Sequence, residues 1–284
     1  MMKSAVIATV ALLLLSVACL SSVAAAQPGA EWRQRISSDE GSVAVSDIVE
    51  EIIFGRAVAA RIIGRYGLYE NPELMQYVNL VGQTLSRGTN RPELEFHFAV
   101  LKVDEIASFG APGGYVFVTQ GALREMRDEA ELAGVLAHEL GHMAEKTVVR
   151  ELKIRGIEDA AVSSLAQVIG GSTDPARIAF ARAVDRAMDI LLKNGYKRRD
   201  ETKADEDAVV LCAMAGYDPS GLIRYIERTH GIKGDAQANR LGQTHPPYKD
   251  RIDWLKTAIA RDGLDSGSYK TYQKRFAEYM KAMK

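Results

Sequence analysis

In GVLAHELGHMAE, residues 134–145, two histidines and a glutamate interrupt an otherwise apolar, helix-forming stretch. On a helix, Leu132, Val135, Leu136, Leu140 and Met143 fall on one arc, with Glu139 inside it and His138 and His142 together at its edge. A carboxylate directed into an apolar face is costly unless something compensates it. A metal ion, or a water held by one, would do so. The i, i+4 spacing of His138 and His142 lets two imidazoles reach one zinc ion. Glu139, beside them, is then placed as the general base that takes a proton from a water the ion has acidified. The competing reading, a solvated histidine pair, leaves the apolar setting of Glu139 unexplained.

A catalytic zinc needs a third protein ligand and one open position. The stretch YKRRDETKADEDA, residues 196–208, offers Glu201 and Asp205 on one helical face. Glu201 could bind the ion while Asp205 fixes a ligand histidine through its other ring nitrogen. The same two residues would also suit an exposed, charged helix start. Tyr115–Thr119, ahead of the histidine helix, is expected to be an edge strand that pairs with an extended substrate, with Tyr115 and Phe117 alongside it; an internal strand fits these residues as well. His97 and His230 have no partners at ligand spacing and read as core or surface histidines. Cys212 lies eleven residues beyond Glu201, roughly 16 Å along a helix, so it cannot share an ion with it and reads as a small buried thiol.

These residues need elements to hold them. A capping-box pattern at Asp47 and Glu50 opens a long apolar-rich helix, and Asn71-Pro72 opens a second that runs to about Leu85. LEFHFAVLKV, residues 94–103, alternates and is rich in strand formers; Tyr115–Thr119 is a second short strand. Helices are then expected over about Asp128–Arg150, Asp159–Ile169, Pro175–Lys193, Arg198–Ala215 and Ser220–Thr229, with a polar loop from His230 to His245 and two short helices closing the chain. The fold class is mainly α with a small β-sheet. The terminal stripe of Tyr269, Tyr272, Phe276, Tyr279 and Met280 is expected to pack on its own domain rather than on a partner.

The chain has 284 residues and a formal net charge of −1, which suits one compact domain and leaves no electrostatic footprint for nucleic acid. Residues 1–26 read as a secretory signal peptide, with Ala24-Ala25-Ala26 as the cleavage site, followed by a linker over 27–46. A rival reading makes Cys19 a lipidated cysteine and gives the chain a membrane tether. Either way the expected location is outside the cytoplasm, in the periplasm for a Gram-negative source. The mature chain keeps Cys212 and has no pair for an internal disulfide.

Taken together, the motifs resemble the gluzincin zinc metallopeptidases that include HtpX, BepA and the CAAX prenyl proteases. IASFGAPGGYVFVTQGAL, EAELAGVLAHELGHM, YKRRDETKAD, AGYDPSGLIRYIER and THPPYKDRI follow in the family's order, from about Ile48 to Ile252, about three quarters of the chain. The resemblance implies a gluzincin-type domain, here spanning 47–260 with a C-terminal helix over 261–284. It implies that His138, His142 and Glu201 bind one zinc ion, that Glu139 is the base and that Asp205 supports a ligand. His245 matches a family histidine that approaches the zinc, either as a fourth ligand that closes the site or as a catalytic group in the transition state; a plain turn residue is the third possibility. Ser108, Gly110-Ala111, Lys197 and Lys203 depart from the family pattern without removing a ligand or the base. No transmembrane segment is expected in the mature chain, and no repeat array follows His245, so a stand-alone exported form is implied. The expected function is zinc-dependent endopeptidase activity on unfolded or misassembled envelope proteins. The alternative is a chaperone-like binding protein with a closed structural zinc site.

Overall fold

The computed structural model describes residues 45–154, 175–230, 245–265, 267–281 and 283. The predicted signal peptide, Cys19, nearly all of the predicted linker, the predicted helix Asp159–Ile169 and the predicted loop over 231–244 lie outside these residues. Helix α1, Val45–Tyr66, buries Phe54, Val58 and Ile62 on one side. Helix α2, Pro72–Ser86, starts as its sequence predicts: the Asn71 side chain accepts from the Leu74 amide at 3.0 Å, and proline fills the first turn.

Strands β1, His97–Leu101, β2, Ser108–Ala111, and β3, Tyr115–Thr119, form one sheet in the order β1–β3–β2. β3 runs parallel to β1, with His97 opposite Tyr115, and antiparallel to β2, with Ser108 opposite Val118. The expectation that Tyr115–Thr119 is an edge strand is therefore corrected. β3 is hydrogen-bonded on both sides, so Tyr115 and Phe117 cannot pair with a substrate backbone. The physical reason is visible in the residues: Val116 to Thr119 are buried without alternation, as in a central strand covered on both faces. Phe117 packs in a core with Phe54, Ile62 and Phe109, and the Tyr115 ring lies 5.1 Å from the exposed His97. The tight β2–β3 turn needs Gly113 and Gly114, at φ 74° and 96°.

After α3, Gln120–Glu125, comes the central helix α4, Glu129–Ala144. Asp128 caps it by accepting from the Glu131 amide at 3.0 Å. Every residue of α4 is buried. The apolar arc read from its sequence is only part of the burial, because α2, the sheet, α7 and α8 surround the helix. The remaining helices are α5, Thr147–Leu152; α6, Pro175–Asp189, which continues as a π-helical turn over Ile190–Asn194; α7, Arg198–Met214; α8, Gly221–His230; α9, Tyr248–Arg261; and α10, Gln273–Met280. On α10, Phe276 is buried and the Tyr279 ring stacks on Tyr77 at 4.0 Å, so this stripe packs on its own chain. Among the described residues no helix is long and apolar enough to cross a membrane.

Candidate metal and active site

The site forms where α4 meets α7. The two helices approach closely because Gly141 has no side chain: a Cβ there would lie 2.9 Å from the Ala204 Cα. This contact places the Glu201 turn of α7 against the His138–His142 turn of α4. Nε2 of His142 lies 3.2 Å from Nε2 of His138. Glu201 Oε1 is 3.4 Å from His142 Nε2, and its Oε2 is 3.7 Å from His138 Nε2. One ligand atom from each residue falls within 4.8 Å of the others, and all three side chains are buried.

Do these residues fit a metal ion? Glu201 is fully buried, and neither carboxylate oxygen has a hydrogen-bond partner among the described residues. A buried carboxylate without a hydrogen-bond partner is costly, and a cation shared with the two imidazole nitrogens beside it would compensate it. Two nitrogens and a carboxylate oxygen are the donor set of a catalytic zinc site. The set fits.

Further side chains fix the cluster from outside. Asp205, one turn beyond Glu201, accepts from His138 Nδ1 at 2.9 Å, which leaves the Nε2 lone pair directed at the cluster. Arg251 on α9 grips Asp205 with two hydrogen bonds, Nε to Oδ2 at 2.9 Å and Nη2 to Oδ1 at 2.7 Å. Burial opposes ionisation of Asp205, but the Arg251 guanidinium and the His138 hydrogen bond outweigh it and hold the pKa at about 2. Glu139 is buried next to His138, and its Oε1 accepts from the Ser108 hydroxyl on β2 at 2.6 Å. Gly110 brings β2 against it: a Cβ there would lie 3.1 Å from Glu139 Oε2. His245 Nε2 is 3.8 Å from Glu201 Oε2, and its ring centroid is 5.9 Å from that of His138. Burial lowers the His245 pKa to about 4 against the pull of Glu201, so the imidazole is neutral at pH 7.

The structure thus brings together His138, Glu139, His142, Glu201, Asp205 and His245. It does not bring Tyr115 and Phe117 into the group. His230 stacks on Tyr248, and Cys212 is buried in the core, where burial pushes its thiol pKa up. Sequence reasoning gave no role to Arg251, although it lies in the motif THPPYKDRI, six residues after His245. It also undervalued Ser108, noted only as a departure from the family pattern, and Tyr196, whose ring lies 4.0 Å from that of His142.

The sequence matches a known family and several known proteins. The model of Peptidase family M48 matches residues 72–259. The beta-barrel assembly-enhancing protease of Escherichia coli is 24% identical over 72% of this chain and 43% of its own. The mitochondrial metalloendopeptidase OMA1 of Schizosaccharomyces pombe is 28% identical over 66% of this chain and 56% of its own. The metalloprotease YcaL of Escherichia coli is 25% identical over 61% of this chain and 66% of its own. The chain spans less than half the length of the beta-barrel assembly-enhancing protease. The family match covers about two thirds of the sequence and takes in the histidine helix, Glu201 and Arg251. The chain belongs to Peptidase family M48.

Proposed function

We propose that this chain is a zinc-dependent endopeptidase acting on unfolded or misassembled proteins of the cell envelope. The observation that carries the reading is the Glu201 carboxylate, fully buried, without a hydrogen-bond partner among the described residues and facing two converging histidine nitrogens. His138, His142 and Glu201 would hold the zinc. When bound, zinc supplies Lewis acidity, polarising a scissile carbonyl and lowering the pKa of a water.

The chain's own residues do the rest. Glu139 takes a proton from the attacking water as the new C–O bond forms. It then delivers that proton to the amide nitrogen as the C–N bond breaks. Ser108 fixes the Glu139 carboxylate by donating to Oε1. Asp205 and Arg251 hold His138 in the tautomer that presents Nε2. Neutral His245 is a further donor beside the cluster, in the position of a cap that substrate displaces. β2 rather than β3 is the strand beside Glu139, and it is an edge of the sheet among the described residues, so we assign it the role of pairing with an extended substrate.

Residues 1–26, read as a signal peptide, would carry the mature chain out of the cytoplasm, to the periplasm in a Gram-negative source; in the rival reading, cleavage ahead of an acylated Cys19 would tether it to a membrane. The relatives named for beta-barrel assembly support envelope proteins as the substrate class. The test is cleavage of casein, an unfolded protein, by the purified chain. Wild-type protein with zinc should cleave it, while the chelator-treated protein and Glu139→Gln should not, Glu139→Gln losing about 100-fold or more as removal of a general base requires. Equal cleavage by Glu139→Gln would remove Glu139 from the mechanism.

A further inference from the structure

The two metal-binding histidines are supported unequally. A ligating histidine almost always donates its second ring nitrogen to a fixed acceptor, which sets its tautomer and orientation. Asp205 serves His138 in this way at 2.9 Å. His142 Nδ1 is buried and has no hydrogen-bond partner among the described residues. Two other buried polar atoms share that condition close by: Thr147 Oγ1, at the start of α5, and the Tyr196 hydroxyl, just before α7. His142, Thr147 and Tyr196 all line one small cavity, together with Glu51 and Gly110. The volume open to a water's centre there is about 10 Å³, room for a single molecule. A buried water needs that much space and two to four polar partners. Glu51 is already engaged, accepting from the Gly113 amide and from Arg91.

We propose that this cavity holds one ordered water molecule that accepts the His142 Nδ1–H and donates to Thr147 Oγ1, with the Tyr196 hydroxyl as its third partner. Thr147 is then a positioning residue for the metal: it orients His142 through water as Asp205 orients His138 directly. Lys146, at φ 51°, turns the chain between α4 and α5, and Thr147, the first residue of α5, lines the same cavity as His142. The inference rests on the zinc reading of the site.

The test has two arms. The first is zinc affinity, measured by competition with a chromophoric chelator. Thr147→Val removes the hydroxyl and should weaken zinc binding about 10-fold or more, while Thr147→Ser, which keeps it, should stay within about 2-fold of wild type. The second is a high-resolution crystal structure of the wild-type chain, which should show a water within hydrogen-bonding distance of His142 Nδ1 and Thr147 Oγ1. Unchanged zinc affinity in folded Thr147→Val, or a cavity without that water, overturns the proposal. If Thr147→Val does not fold, the crystal structure decides. A wild-type chain that binds no zinc would refute the zinc reading instead, and the diffraction arm would still decide the water.

Discussion

At the scale of single residues, the site depends on charges that are buried in matched groups. Arg251 and Asp205 are both buried, and each is the other's main counter-charge. Replacing Arg251 with Met leaves the Asp205 carboxylate without its cation, and breaking a buried pair from one side costs about 3–5 kcal/mol. The double variant with Asp205→Asn should recover a large part of that loss, because no buried charge is stranded. Urea denaturation of the metal-free proteins measures both. A loss under about 1 kcal/mol for Arg251→Met would show that the pair is not the support for His138 described here. The sequence made the two kinds of residue unequally legible. His138, Glu139 and His142 declare themselves because their spacing is local and helix geometry turns it into a shared site. Glu201 and Asp205 were readable as a pair on one face, but their burial was not. Arg251 stood in view in THPPYKDRI, but its role was not readable, because its partner Asp205 lies 46 residues away and no local spacing joins the two.

At the scale of elements, the distance between α4 and α7 would set the geometry of the proposed metal site, and Gly141 sets that distance. In Gly141→Ala the new methyl group would meet backbone, the Ala204 Cα at 2.9 Å and its carbonyl oxygen at 3.0 Å, rather than a side chain that can swing aside. The helices must separate, at a cost of about 1–3 kcal/mol as for other overpacked positions. The separation should also draw Glu201 away from the histidines and weaken zinc binding. Thermal unfolding together with chelator competition tests both effects; stability loss with unchanged zinc affinity would mean that Gly141 matters for packing alone. The elements themselves were largely legible, since the cap at Asn71, the strands near His97 and Tyr115 and the helices around the histidines and Glu201 follow local patterns. Strand order was not. β2, Ser108–Ala111, is too short and too rich in small residues to announce a strand, so Tyr115–Thr119 looked like an edge when β2 in fact covers it.

At the scale of the whole molecule, one buried helix carries both histidines of the proposed metal site, and the rest of the described chain packs around it. Its N-terminal end is held by Glu129, which accepts from the Tyr77 and Tyr217 hydroxyls at 2.9 and 2.7 Å and pairs with Arg275 on α10. Its C-terminal end is held by Arg91, which donates to the Met143 carbonyl at 2.8 Å and pairs with Glu51 on α1. Segments from both ends of the described chain therefore brace the same helix. This long-range bracing explains why an apparently amphipathic sequence folds into a helix buried on every side. It also explains why the C-terminal aromatic stripe packs inward rather than forming a separate surface. A helix fixed in this way holds its two histidines against Glu201.

The most direct measurement is therefore zinc titration of the purified chain beside Glu201→Gln. One zinc per wild-type chain, with binding to Glu201→Gln weakened about 10- to 100-fold or lost, is the expected result. Equal stoichiometry and affinity in the two proteins would contradict the assignment of Glu201 as a ligand and, with it, the metal centre from which the peptidase reading is built.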